Sequence, residues 1–178
     1  MKVSIITITY NAAQWLERTM RSVLAQTNTD YEYIIVDGAS TDGTIDIINR
    51  FEPKFKGRLS WQSKPDKGLY DAMNKGLARA SGDFVWFINA GDEIYGEETL
   101  QNVIDATSTQ TDIVYGKACI VNAAGQKVSE HHKTTPPNLQ IVHLLNGLVV
   151  SHQAIIVRRS ISKHYDTKYR ISADYDWV

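Results

Sequence analysis

Phe84-Val85-Trp86-Phe87-Ile88-Asn89-Ala90-Gly91-Asp92-Glu93 is the stretch that decides the fold of this chain. Five apolar residues run unbroken from Phe84 to Ile88 before the chain turns polar. A short apolar run bounded by turn residues predicts a strand buried on both faces. Its polar tail then emerges at the carboxyl end of the strand, where open α/β sheets bind their ligands.

Working back from that strand, Gly82 suits the position just past a helix end. Residues 69–80 read as that helix, with Leu69, Ala72, Met73, Gly76, Leu77 and Ala80 on the buried face. Gly76 would let the helix approach the sheet closely. Tyr70 and Met73 read as core, whereas Asp71 and Asn74 either reach a crevice or brace the adjoining loop. Residues 64–68 form a loop, and residues 59–62 a short strand. Val3-Ser4-Ile5-Ile6-Thr7-Ile8-Thr9 is rich in β-branched residues and reads as the first strand. Asn11 is a candidate cap for a following helix whose stripe is Leu16, Met20, Val23 and Leu24. Residues 33–36 make a second buried strand that runs into Asp37-Gly38-Ala39-Ser40-Thr41-Asp42-Gly43-Thr44. There Ser40 or Thr41 can cap a helix faced by Ile45, Ile48 and Phe51 and closed by Pro53.

Working forward, residues 99–106 resume helix with Leu100, Val103 and Ile104 facing inward. The resulting β-α-β-α-β-α-β-α order predicts a parallel sheet with helices on both faces. The pattern then changes. Residues 113–121 read as a strand, 122–125 as a turn and 126–129 as its hairpin return. Residues 131–137 read as an exposed loop, and adjacent His131 and His132 fit solvent better than a metal. Residues 144–150 are apolar but broken by Asn146-Gly147, residues 154–157 suggest a strand, and residues 171–178 open a helix that the chain end cuts short.

Composition narrows the class. A chain of 178 residues, 43% hydrophobic, predicts one domain with a substantial core. Nineteen basic residues against 20 acidic ones, a net charge of -1, give no global attraction to nucleic acid. The single cysteine, Cys119, excludes an intrachain disulfide and reads as an inert core thiol. No signal peptide and no apolar run near ~20 residues is visible. The expectation is a cytoplasmic domain, with peripheral membrane contact left to residues beyond Val178.

Three buried strands end in polar groups: Thr9-Tyr10-Asn11, Asp37, and Asn89-Ala90-Gly91-Asp92. Right-handed crossovers bring these ends to one sheet edge. Helix N-termini there would favour phosphate. Carboxylates beside phosphate repel it unless a divalent cation lies between, and Mg²⁺ and Mn²⁺ favour oxygen ligands shared with substrate phosphates. The chemistry implied is a metal-bound nucleotide diphosphate.

Four segments together resemble family 2 glycosyltransferases of the GT-A fold: Ile8-Thr9-Tyr10-Asn11, Val36 to Thr44, Asp66-Lys67-Gly68-Leu69-Tyr70-Asp71-Ala72-Met73-Asn74-Lys75-Gly76, and Asn89 to Asp92. Ser151-His152-Gln153 and Ala173-Asp174-Tyr175-Asp176 follow in family order. The resemblance implies a Rossmann-like α/β/α sandwich with a mostly parallel sheet and a smaller mixed β region in the second half. Residues 1–110 would bind the nucleotide sugar and residues 111–178 the acceptor. It also implies inverting transfer from a nucleotide diphosphate donor, with a UDP-sugar favoured. The acceptor would be a saccharide or lipid-linked saccharide, as in bacterial surface-polysaccharide assembly.

On that resemblance, Thr9, Tyr10 and Asn11 would line the nucleotide pocket and Asp37 would hydrogen-bond the base. Asp66, Lys67 and Gly68 would border nucleotide and donor sugar. Asn89, Ala90 and Gly91 would occupy the DxD-type site, with Asp92 holding Mn²⁺ or Mg²⁺ and Glu93 pointing elsewhere. Asp174 would be the general base, or a cap of the last helix. His152 would touch diphosphate or acceptor, or be a structural residue. Two departures stand out: Gly38 where the family often has a second aspartate, and Asn89 and Gly91 where many members have aspartates. A nucleotide-sugar-binding module without turnover is the alternative. A dinucleotide-dependent oxidoreductase is disfavoured, because the turn after the first strand lacks the glycines a pyrophosphate needs.

Overall fold

The computed structural model describes residues 1–178 except 132–134, 145, 146, 148, 170 and 178. Its centre is a six-stranded sheet in the order β3-β2-β1-β4-β8-β5. The strands are β1 (Val3–Thr9), β2 (Tyr31–Asp37), β3 (Leu59–Ser63), β4 (Phe84–Phe87), β5 (Ile113–Tyr115) and β8 (Ile155–Arg158). The first four are mutually parallel. β8 runs antiparallel to both β4 and β5. A separate antiparallel pair, β6 (Cys119–Val121) and β7 (Lys127–Glu130), forms the expected hairpin. The α/β class and the mostly parallel sheet with a mixed second half are therefore as the sequence implies.

Alternation along each strand sends successive side chains to opposite faces. Val3, Ile5, Tyr33, Ile35, Trp86 and Ile88 pack with α1 (Ala13–Leu24), α2 (Thr44–Phe51) and α4 (Thr99–Asp105). Ile6, Ile8, Ile34, Val36, Val85 and Phe87 pack with α3 (Leu69–Arg79) and α6 (Ala173–Trp177). α1 forms because Leu16, Met20 and Val23 recur on one side, and all three are fully buried. Each such side chain contributes about 1.5–3 kcal/mol relative to exposure. Gly76 does what its position suggests: a Cβ there would lie 2.6 Å from Ile6 Cγ2, so α3 rests directly on the sheet.

Several local expectations are corrected. β2 begins at Tyr31, two residues early, because the ring is buried beneath the Arg58 guanidinium and its hydroxyl donates to the Val23 carbonyl at 3.2 Å. Leu69, at the first position of α3, is 50% exposed and off the buried face that Tyr70, Ala72, Met73 and Gly76 form. The second helix ends at Phe51, before Pro53 as expected, but the chain runs straight on into a 3-10 turn, Glu52–Phe55, that buries Phe55. Residues 113–121 are not one strand. β5 stays in the main sheet and β6 leaves it, so Cys119 is half-buried in the hairpin and not a core thiol. The strand expected at 154 starts at Ile155, after a 3-10 turn over His152–Ala154. A short helix, α5 (Ile141–Leu144), precedes the apolar run. Within that run Asn146 lies outside the described residues, as do His132 and the centre of the 131–137 loop.

Candidate active site

β1 lies between β2 and β4, with later strands added on either side of it, so the carboxyl ends of β1 and β4 form the switch point where open α/β sheets bind ligands. Thr9, the last residue of β1, is 3% exposed, and its Oγ1 has no hydrogen-bond partner among the described residues. Asn89 follows β4, and its Oδ1 is likewise buried and unpartnered. An unsatisfied buried polar group costs about 1–3 kcal/mol. Two such oxygens on adjacent strand ends mark a place where a bound group would restore the lost bonds. The Ala90 N–H reaches the Ile8 carbonyl at 3.4 Å and holds this segment against β1.

The turn over residues 89–92 is pinned from α1. The Gly91 N–H donates to Thr19 Oγ1 at 2.9 Å, and Thr19 Oγ1 donates to the Asp92 carbonyl at 2.7 Å. Gly91 has φ 105°, a conformation L side chains rarely adopt. That backbone conformation favours glycine at this position. Glu93 does not point elsewhere: it pairs with Arg18, whose Nε is 2.8 Å distant, in the wall of the same cavity that Asp92 borders.

The loops after β1 and β2 are laced together. Asn11 has φ 47° and is not a helix cap; its Oδ1 accepts from the Thr41 N–H at 2.9 Å. Asn11 N–H donates to Ser40 Oγ at 2.8 Å, and Ala12 N–H to Thr44 Oγ1 at 2.9 Å. Asp42 caps both helices, accepting from Ala13 N–H at 3.0 Å and Thr44 N–H at 3.1 Å. The Thr44 hydroxyl and these amides hold its carboxyl below the usual range. Neither Ser40 nor Thr41 caps α2, and the N-terminus of α1 already faces a carboxylate. The anion-attracting helix ends expected here are thus partly filled from within the chain.

Asp37 is fully buried. Its carboxylate accepts from Ser40 N–H at 2.9 Å, Ser63 Oγ at 2.6 Å and the Ser40 hydroxyl. Tyr10 is 66% exposed and packs beside Gly38, where the Asp66 carboxylate also arrives. Asp66 Oδ1 accepts from the Gly68 N–H at 2.9 Å. Lys67 N–H is held by Asp71 Oδ2 at 3.0 Å, and Asp71 pairs with Lys75 at 2.8 Å. Asn74 makes two bonds to the Tyr165 backbone, at 2.9 and 2.8 Å. Asp71 and Asn74 therefore brace loops, the second of the two roles their spacing allowed.

Asp174 lies in the first turn of α6, behind Ser172 and Ala173, and is not the cap. The Tyr70 hydroxyl stands 3.5 Å from Asp174 Oδ1 and accepts from the Ala173 N–H at 3.1 Å. Burial, with the Asp174 charge as the lesser cause, raises the Tyr70 pKa, so the hydroxyl keeps its proton and can donate to the carboxylate. Asp176 is exposed. His152 is buried, with Nε2 2.8 Å from the Tyr165 hydroxyl and its ring against Phe87, Tyr165 and Trp177. His152 is thus held inside an aromatic cluster.

Asp92 borders a cavity of about 890 Å³ between the sheet and the β6–β7 hairpin, with Trp15, Arg18, Tyr95 and Gln153 also in its wall. Burial raises the Asp92 pKa, opposed by a hydrogen bond from Gln153 and by the charge of Arg18. A cation would relieve that penalty. Among the described residues no three His, Cys, Asp or Glu side chains are grouped to hold a metal. The donor set of one strained carboxylate and the unpartnered Asn89 Oδ1 suits a hard divalent ion that takes its remaining ligands from phosphate and water. Thr19, Ser40, Asp42, Ser63 and Gln153 carry no sequence signal for these roles, since each acts through a fold-made contact. The Tyr70 hydroxyl was masked by the apolar face on which it lies.

Unpartnered polar oxygens on Thr9 and Asn89 mark the carboxyl ends of β1 and β4, and Asp92, whose pKa burial raises, follows in the same turn. The Glycosyl transferase family 2 profile matches residues 4–166, and the chain belongs to that family. A "PGL/p-HBAD biosynthesis glycosyltransferase" of Mycobacterium bovis is 35% identical over 179 residues, covering 98% of this chain and 67% of its own length. Staphylococcus aureus TarS in complex with UDP-GlcNAc superposes with TM-score 0.69 at 28% identity, over 90% of this chain and 46% of that one. The mannosyltransferase PcManGT from Pyrobaculum calidifontis, in complex with GDP-Man and Mn²⁺, gives TM-score 0.58 at 26% identity over 67% of this chain and 35% of that one. The chain thus spans two thirds of the length of its mycobacterial relative and about half of TarS. Among the described residues no helix is long and apolar enough to cross a membrane.

Proposed function

We propose that this chain is the catalytic domain of an inverting glycosyltransferase that moves a sugar from a UDP-sugar to an acceptor hydroxyl by single displacement. The observation that carries this reading is the set at the switch point, Thr9 Oγ1, Asn89 Oδ1 and the raised-pKa Asp92, in a chain of this family. Residues 1–110 bind the donor, with Thr9, Tyr10, Asn11, Asp66, Lys67 and Gly68 around the nucleotide and Asn89, Ala90 and Gly91 beside the diphosphate. Asp92 holds Mn²⁺ or Mg²⁺. The ion, when bound, neutralises charge growing on the departing diphosphate. Asp174 takes the proton from the attacking hydroxyl, and the Tyr70 hydroxyl aims its carboxylate. Base assistance of this kind contributes about 10²–10⁴-fold.

TarS with UDP-GlcNAc supports a hexosyl or N-acetylhexosaminyl donor, and the glycosyltransferase named for PGL/p-HBAD biosynthesis supports a glycolipid-type or saccharide acceptor. Residues 111–178 face that acceptor, on the cytoplasmic side and at the inner face of the membrane if it is lipid-linked. The test is UDP release from UDP-sugars in the presence of alkyl glycoside acceptors. Asp174→Asn should abolish turnover and keep UDP binding. Tight UDP binding with no turnover on any donor and acceptor pair would instead favour the binding-module reading.

A further inference from the structure

The departure at Gly38 has a spatial cause. Gly38 is absent from the positive-φ residues, so the backbone does not require glycine there. Space does. A Cβ at this position would lie 2.6 Å from Asp66 Oδ2 and 3.2 Å from Tyr10 Cδ2. The Asp66 carboxylate, delivered from the loop before α3, fills the volume a side chain at 38 would take.

Asp37, the neighbouring carboxylate, is in the opposite condition. It has no exposed surface, and three hydrogen bonds from Ser40 and Ser63 occupy its oxygens. Contact with a base would break the bonds that hold the 37–40 turn to β3. Asp66 is only half-buried. Its Oδ1 holds the Gly68 N–H, and its Oδ2 carries no hydrogen bond among the described residues. Beside that oxygen stands Tyr10, two thirds exposed. A flat aromatic face and an acceptor-only oxygen side by side are the elements of a nucleobase cradle.

We propose that Asp66, and not Asp37, is the carboxylate that reads the nucleobase, that Gly38 makes room for it, and that Asp37 is a positioning residue for the turn. This rests on the nucleotide-sugar reading above. An ionised carboxylate only accepts hydrogen bonds. Placed at ring N3, it therefore favours a base with a ring N–H donor there, such as the imide of uracil, over cytosine, whose N3 is an acceptor.

The test is calorimetric titration of UDP and CDP, in Mn²⁺, into wild type, Asp66→Asn, Gly38→Ala and Asp37→Asn, with a melting temperature for each. Wild type should prefer UDP. Asp66→Asn should weaken UDP about tenfold and narrow the UDP/CDP ratio by a similar factor, without a loss of melting temperature. Gly38→Ala should do likewise by displacing the Asp66 carboxylate. Asp37→Asn should lower the melting temperature and leave the ratio intact. Unchanged UDP affinity and ratio in Asp66→Asn would overturn the proposal, as would a collapsed ratio in a folded Asp37→Asn. If Asp37→Asn does not fold, the Asp66→Asn result decides alone. If wild type binds neither nucleotide, the nucleotide-sugar reading fails and this assignment falls with it.

Discussion

Glu32 offers a quantitative test of how the sheet is tied together. It sits on β2 and its carboxylate gathers five donors. Oε1 accepts from Ser4 Oγ at 2.6 Å, Ser81 N–H at 2.6 Å and Gly82 N–H at 3.1 Å. Oε2 accepts from Ser81 Oγ at 2.7 Å and Lys2 Nζ at 3.0 Å. Burial alone would raise its pKa, but the bonds from Ser4, Ser81 and Lys2 outweigh burial and bring it from 4.5 to about 2. At about 1.4 kcal/mol per unit, the shift corresponds to about 3 kcal/mol at most. The side chain is still 19% exposed, so solvent screening reduces this to about 2 kcal/mol. The folded pKa lies below the unfolded one. The contribution is therefore complete above pH 4.5 and disappears as pH falls toward 2. Glu32→Gln, which also turns an amide toward N–H donors, should lower the melting temperature at pH 7 by about 4–8 °C. The gap to wild type should close as melts are repeated down to pH 2. Curves that stay parallel over the whole range would refute the reasoning.

Three further outcomes are expected. Gly76→Ala gains helix propensity but places a methyl 2.6 Å from Ile6 Cγ2, so overpacking of about 1–3 kcal/mol should prevail and lower stability in urea melts; a stabilised variant would mean that α3 does not rest on β1. Tyr70→Phe leaves the buried Ala173 N–H without its acceptor and Asp174 without its hydroxyl neighbour. Its kcat should fall about tenfold, with the UDP Kd held within about twofold; an unchanged kcat would remove Tyr70 from the positioning of Asp174. Asp92→Asn should raise the melting temperature at neutral pH while abolishing the metal-dependent part of UDP binding, because burial penalises the charged form of Asp92. By the same sign, the advantage of the variant should shrink as pH falls through the raised pKa of Asp92; a variant less stable than wild type at pH 7 would contradict it.

What the sequence made legible was set by periodicity. The β-branched runs of β1 and β2, the apolar run of β4 and the stripes of α1 and α3 each carry their fold in local pattern, and each element was found, β2 with two further residues at its start and α3 with Leu69 exposed. The failures cluster where contacts between distant segments decide. Asn11 has the chemistry of a cap, yet Asp42, 29 residues away from Ala13, takes that role through a loop that only the folded sheet brings near. Residues 113–121 look continuous, but the chain leaves the main sheet after Tyr115 and pairs with residues 127–130 instead. At the candidate site, the motif positions follow the carboxyl ends of β1, β2 and β4. Which carboxylate is open and which is sealed depends on Ser40, Ser63 and Gly38, whose effects are geometric. His152 shows the same limit, because its partner Tyr165 is fixed by Asn74 from another helix.

The central claim is that the crevice between the ends of β1 and β4 holds a nucleotide diphosphate through a divalent ion on Asp92. The most direct measurement is calorimetric titration of UDP into wild type and Asp92→Ala, each with and without Mn²⁺. Mn²⁺ should strengthen UDP binding to wild type by about tenfold or more, and Asp92→Ala should lose this increment. UDP binding that is indifferent to Mn²⁺ and unchanged by the substitution would contradict it.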